Sequence, residues 1–249
     1  MSVSYKCMNR RRFLIFLIVI ILIIDLAYFY PKLTGHITKS QYKLEPAFCK
    51  KVIDGDTIEI EINHTAGTVR LLGINTPEKG RVFYEDAQDF LKQIENKTIY
   101  IQRDYDNEDK YDRLLRYVFY EDNFMNEQIL ENGLANLYIY GELFHQDELE
   151  SAQEKARLSQ RGIWKKSNSK CRDCIELLEL NAEDEYFILK NHCSFQCELE
   201  GKDEANHFFD ITLSGEEEKT IHSKGRVWNN DGDSLFLRDE DGLLLYYTY

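Results

Sequence analysis

Proline is scarce in this chain, with 3 among 249 residues, and glycine numbers 13. Both shortages exclude a collagen-like or low-complexity protein. No internal repeat is present. Positive charge is also in deficit: 31 Lys and Arg face 44 Asp and Glu, a formal net charge of −13. That excludes a general nucleic-acid coating protein, because phosphate attracts clustered Lys and Arg. Set against these shortages are 43% apolar and 30% charged residues, the balance of an ordinary folded protein rather than a disordered one. The length suits one large domain or two small ones.

Residues 1–12 hold Lys6, Arg10, Arg11 and Arg12 and no acid. Phe13 to Tyr30 then form an apolar run broken only by Asp25. At about 1.5 Å per residue the run spans roughly 27 Å, close to the hydrocarbon thickness of a bilayer. The basic flank predicts a single-pass transmembrane helix over 13–30 with its N-terminus in the cytoplasm and the rest of the chain outside. Asp25 lies near the outer end, within reach of the interface. The alternative is a signal peptide that is cleaved and leaves a secreted protein. Small residues are nearly absent after the run, which favours the uncleaved anchor.

Residues 31–45 are polar, without strong periodicity, and read as a tether. From 46 to 166 the pattern is α+β. Val52 and Ile53 lead into a DGD turn, and Ile58, Ile60 and Ile62 alternate after it, as in a hairpin. A third strand is expected over Val69–Ile74, a helix over Glu85–Ile94, and a strand pair at Thr98–Arg103 and Leu114–Tyr120. Helices follow at Asn126–Gly133 and Gln146–Arg161. This order fits a small closed barrel with helices. From Cys171 to Tyr249 short apolar runs alternate with turn residues, the pattern of an all-β sandwich.

Four motifs in the first region carry chemistry: VIDGDT (52–57), VRLLGINTPE (69–78), DKYDR (109–113) and LANLYIYGE (134–142). In their order and spacing, with the closing RGIW, residues 46 to about 166 resemble the staphylococcal nuclease-like (thermonuclease) family. The resemblance implies a five-stranded OB-fold barrel and calcium-dependent cleavage of DNA and RNA. The chemistry of these residues agrees with it. Phosphodiester hydrolysis needs a metal on a phosphate oxygen, a base for the attacking water and fixed cations for developing charge. Asp56 is the candidate carboxylate ligand, Asn75 offers a side-chain oxygen and Thr76 a backbone carbonyl, while Asp54 would order metal-bound water; such hard oxygens suit calcium. Glu78, fixed behind Pro77, is the candidate general base. Arg70 and Arg113 can fork onto the phosphate. The resemblance further implies Lys110 at a terminal phosphate, and Tyr111, Tyr138 and Tyr140 against sugar and base, a sequence-tolerant mode of contact. Asn75 departs from the family, which commonly has Asp there. The loss of one charge predicts weakened calcium affinity with activity retained.

Six cysteines are present. Cys7 precedes the anchor, and Cys49 is expected to pack in the barrel. Cys171, Cys174, Cys193 and Cys197 have a spacing that permits a four-thiolate zinc site. An oxidising exterior favours two disulfides instead, with three pairings open; free thiols are the remaining case. Around EYFILKN (185–191), KDEANHFF (202–209) and VWNNDGDSLFLRDEDG (227–242) the segment resembles a lamin tail domain, which implies an immunoglobulin-like sandwich beside the nuclease. Residues 168–249 hold 8 basic and 19 acidic residues, so this half is expected to engage an unidentified protein partner rather than DNA.

The sequence thus predicts a membrane-anchored extracytoplasmic nuclease acting on DNA and RNA with little sequence preference. Two alternatives stand beside it. One is a non-catalytic OB-fold nucleic-acid binder; the other is a surface interaction protein with a vestigial site, which only Asn75 supports. The acidic balance then takes a narrower meaning: it excludes tight, coating-style binding but not phosphodiester chemistry resting on a few placed cations.

Overall fold

The computed structural model describes residues 44–230 and 232–249. The expected membrane span at 13–30 lies outside the described residues, and among those described no helix is long and apolar enough to cross a membrane. Period-two burial builds the first sheet. β1 (Glu45–Val52) and β2 (Thr57–Ile62) pair antiparallel around the DGD turn, with Val52 opposite Ile58 and Cys49 opposite Ile60. The first strand therefore begins one residue inside the segment read as tether. β3 (Thr65–Leu71) continues the meander. β4 (Ile74–Asn75), α1 (Tyr84–Leu91) and a 3₁₀ turn (Lys92–Ile94) lead to β5 (Lys97–Glu108) and β6 (Leu114–Tyr120). A parallel pairing of β3 with β6 closes β1, β2, β3, β5 and β6 into a five-stranded barrel, the OB-fold arrangement. Cys49, Ile58, Ile60, Val69, Leu71, Ile99, Ile101 and Val118 fill it. β7 (Asn123–Phe124), α2 (Met125–Glu131), β8 (Asn136–Leu137) and α3 (Gln146–Leu158) follow, and a 3₁₀ turn (Gly162–Trp164) ends this half.

One strand departs from expectation in a way that matters for the site. The sequence predicts a continuous strand over Val69–Ile74, but the chain turns at Gly73, whose φ is +75°. A Cβ there would lie 2.4 Å from Leu149 Cδ1 on α3, so only glycine fits the turn. Beyond it β4 leaves the barrel and pairs with β8, Asn75 opposite Asn136.

The C-terminal half consists of β9 (Ile175–Asn181), β10 (Tyr186–Asn191), β11 (Cys197–Lys202), β12 (Phe208–Leu213), β13 (Glu218–His222), β14 (Ser234–Arg238) and β15 (Leu243–Thr248). They form sheets ordered β13-β10-β9 and β12-β11-β14-β15. Phe187 and Leu189 from one sheet meet Leu199, Ile211, Leu213, Leu235 and Leu237 from the other, with Trp228 between them. Disulfides join Cys171 to Cys197 and Cys174 to Cys193, while Cys49 is buried and unbridged.

Residues 44–249 form one packed unit. Ala156, Ile163 and Trp164 of the first half are buried with Phe236 and Leu243 of the second. The Trp164 ring meets Tyr246 edge-on at 5.0 Å. Backbone bonds stitch the junction: Ser167 N–H donates to Leu243 O at 2.9 Å and Leu243 N–H to Lys165 O at 2.8 Å.

Candidate active site

The tight β1–β2 turn places the first carboxylates. A Cβ at Gly55 would come within 2.6 Å of Ala87 Cβ and 2.8 Å of Thr76 Cγ2, so glycine alone lets this turn sit against α1 and the NTPE loop. Asp56 is buried there. Its Oδ2 accepts from Arg70 Nη1 at 2.7 Å, Thr76 N at 2.9 Å and Thr76 Oγ1 at 2.8 Å, and its Oδ1 accepts from Thr57 Oγ1 at 3.0 Å. Burial alone would raise its pKa. The Arg70 guanidinium and the two Thr76 donors outweigh that and hold it below the usual carboxylate value. Asp54 is shifted the other way, up to about 6, by burial and by the Asp56 charge beside it.

Arg70 lies opposite Thr57 in the β2–β3 register, which aims its guanidinium across the turn. It bridges two candidate ligands, because Nη2 also donates to Asn75 Oδ1 at 2.9 Å. Asn75 and Thr76 are buried, and Glu78, one residue past buried Pro77, is exposed on the same cleft. On the facing wall Asp109 organises the DKYDR loop. Its Oδ1 accepts the amides of Tyr111 and Arg113 at 2.9 and 3.0 Å, and its Oδ2 accepts Arg113 Nε at 2.7 Å and Nη2 at 2.6 Å. Burial opposes but does not overcome these donors, and the Asp109 pKa is lowered. Lys110 Nζ and the Arg113 guanidinium stand 5.1 and 5.4 Å from the Tyr111 ring centre. Tyr138 is tied to the NTPE side by donating its N–H to Gly73 O at 3.0 Å, and Tyr140 is 83% exposed at the rim.

All eleven residues expected from the sequence line one cleft of about 810 Å³. Tyr84, Asp104, Tyr105 and Ala205 also line it and were not expected. Tyr105 lies on β5, which runs to Glu108 instead of ending at Arg103; its alternation with Arg103 was the available signal. Ala205 comes from the C-terminal half, and no local pattern announces it.

The donor chemistry of the cleft is that of a hard-cation site. Among the described residues no cluster of three or more His, Cys, Asp or Glu side chains forms a metal cage. The donors are two carboxylates, an amide oxygen and a backbone carbonyl. Asp54 and Asp56 sit close enough for their charges to oppose each other, and Asp56 Oδ1 accepts from Thr57 Oγ1. An all-oxygen set with a repelling carboxylate pair fits calcium completed by water better than a soft metal.

Comparison with known proteins agrees with this geometry. The family model described as "Staphylococcal nuclease homologue" matches residues 68–166. The chain is 32% identical over 160 residues to a thermonuclease of Staphylococcus intermedius, covering 60% of this chain and 95% of that protein. It is 30% identical over 122 residues to a thermonuclease of Staphylococcus hyicus, covering 46% of this chain and 72% of that one. It is 33% identical over 140 residues to the endonuclease YncB of Bacillus subtilis, covering 52% and 66%. A closed barrel, four motifs converging on one cleft, and these likenesses place the chain in the staphylococcal nuclease family.

Proposed function

We propose that this protein is a calcium-dependent nuclease that hydrolyses phosphodiester bonds of DNA and RNA with little sequence preference. The observation that carries the reading is the convergence of Asp54, Asp56, Arg70, Asn75, Thr76, Glu78 and Arg113 on one cleft with tyrosines along its edge. Asp56, Asn75 and Thr76 would hold the calcium, with Asp54 behind; when bound it polarises a phosphate oxygen as a Lewis acid. Glu78 takes a proton from the attacking water. Arg70 and Arg113 leave Asp56 and Asp109 to meet the phosphate, where their forks neutralise the equatorial and leaving oxygens. Lys110 meets a terminal phosphate. Tyr111, Tyr138 and Tyr140 stack on sugar and base without reading sequence.

Residues 13–30 would anchor this nuclease to a membrane with the cleft outside the cytoplasm. The basic flank before Phe13 and the two disulfides support that placement. The C-terminal half is read as a lamin-tail-like domain.

Glu78→Gln tests the chemistry. It is expected to lower cleavage of single-stranded DNA at saturating calcium by about 10²–10⁴-fold while leaving calcium binding in place. An unchanged rate overturns the assignment of Glu78.

A further inference from the structure

The two halves meet at the candidate metal ligands. Asn75 Nδ2 donates to the Glu204 carbonyl at 2.8 Å, and Asn136 Nδ2 donates to the same oxygen at 3.0 Å. Lys202 Nζ donates to Asn136 Oδ1 at 2.6 Å and to Asn206 Oδ1 at 2.7 Å. Asn206 Nδ2 donates to the Thr76 carbonyl at 2.9 Å. Because Asn75 and Thr76 are consecutive, these contacts close a ring: Thr76, Asn206, Lys202, Asn136, Glu204, Asn75. Its members are largely shielded from solvent, with Asn136 at 1% exposure and Lys202 at 6%.

The ring fixes orientations that the site requires. An amide has one donor end and one acceptor end. Glu204 O takes the donor end of Asn75, so the Oδ1 end turns to the cleft, where Arg70 already meets it. A carboxylate at this position would set acceptor against acceptor at Glu204, so the contact calls for an amide here. A carbonyl oxygen carries two lone pairs. Asn206 engages one at Thr76, which aims the carbonyl and leaves the other for a cation. Asn206 itself sits at φ +66°, a backbone state that Asn tolerates better than most residues.

We propose that the β-sandwich is a working part of the cleavage site, with its 203–206 loop orienting Asn75 and the Thr76 carbonyl and Asn206 acting as a positioning residue for the metal. This rests on the nuclease reading above. Partners standing behind metal ligands typically change affinity or activity by about 10–100-fold when lost.

The test uses the full chain with Ca²⁺ as the probe. Asn206→Asp keeps size, tolerates the left-handed backbone and keeps its contact with Lys202, which neutralises the new charge, but it has no N–H for Thr76 O. Asn206→Gly removes the side chain at no backbone cost. Calcium affinity is read by calorimetry without substrate, the fold by metal-free thermal melting, and cleavage of single-stranded DNA at saturating calcium. Both variants are expected to keep a cooperative melt and to bind calcium at least about tenfold more weakly. If one of them fails to fold, the other decides. Wild-type calcium affinity and cleavage in the folded variants overturn the positioning role and leave the nuclease reading intact. A wild-type chain that neither binds calcium nor cleaves overturns the nuclease reading, and this inference with it.

Discussion

Arg70 and Arg113 are each held on a carboxylate of their own wall, Asp56 and Asp109 respectively, so both arginines are pre-placed at the cleft without a substrate. In the proposed reaction each exchanges that carboxylate for a phosphate. Lys202 is held in a harsher setting. Burial, assisted by Arg238, brings it down to about 8 against the opposing pull of Asp203, Glu200 and Glu204. An unfolded lysine titrates near 10.4, so between about pH 8 and 10.4 the unfolded chain keeps a proton that the folded chain has released. The folded-state value is depressed for a base, and stability therefore rises with pH across that window, by up to about 1.4 kcal/mol per pH unit. Urea unfolding at intervals from pH 7.5 to 9.5 should show this slope in the wild type and a flatter one in Lys202→Met. Equal slopes would remove Lys202 as the cause.

At the scale of elements, the site depends on how closely the DGD turn approaches α1 and the NTPE loop. Gly55→Ala forces a methyl group into the 2.6 Å gap at Ala87, where the neighbour is itself a Cβ and cannot rotate away. Overpacking of this kind should cost about 1–3 kcal/mol in chemical denaturation and displace Asp56 and Thr76 together. Full wild-type stability would mean that the turn gives way without cost. The hairpin and the approximate places of the barrel strands were legible in the sequence because their signals are local, alternation and a DGD turn; the candidate site residues were expected from four motifs and the resemblance they carry, and the structure brings them to one cleft. What was not legible is non-local or weakly patterned. The strand Cys197–Lys202 (CELEGK) lacks β-branched residues and carries Gly201, yet it is central in its sheet, flanked by β12 and β14. The break at Gly73 reads as a strand interior until Leu149, 76 positions on, packs against it. The Asn75–Glu204 contact spans 129 positions, and no window of sequence contains both residues.

For the molecule as a whole, a division into two modules follows from composition, but the structure joins them. The C-terminal half brings a surplus of 11 negative charges, so it adds no general attraction for a polyanion. What it does add is cover for the end of the first half. Trp164 is 1% exposed, and Phe236 and Tyr246 of the second half supply the rings against it at 5.4 and 5.0 Å. Ending the chain at residue 166 would strip those rings away and expose Ile163 and Trp164 to water. Burying a large apolar side chain contributes about 1.5–3 kcal/mol, so losing cover for both should lower the barrel's stability by a similar amount. The readout is direct, because the chain has 2 tryptophans and Trp164 alone would remain in such a fragment. Its emission should shift to the red and its urea midpoint should fall relative to the full chain. Unshifted emission with an unchanged midpoint would show that the barrel half covers Trp164 by itself, and that the junction at Phe236, Leu243 and Tyr246 adds nothing to its folding.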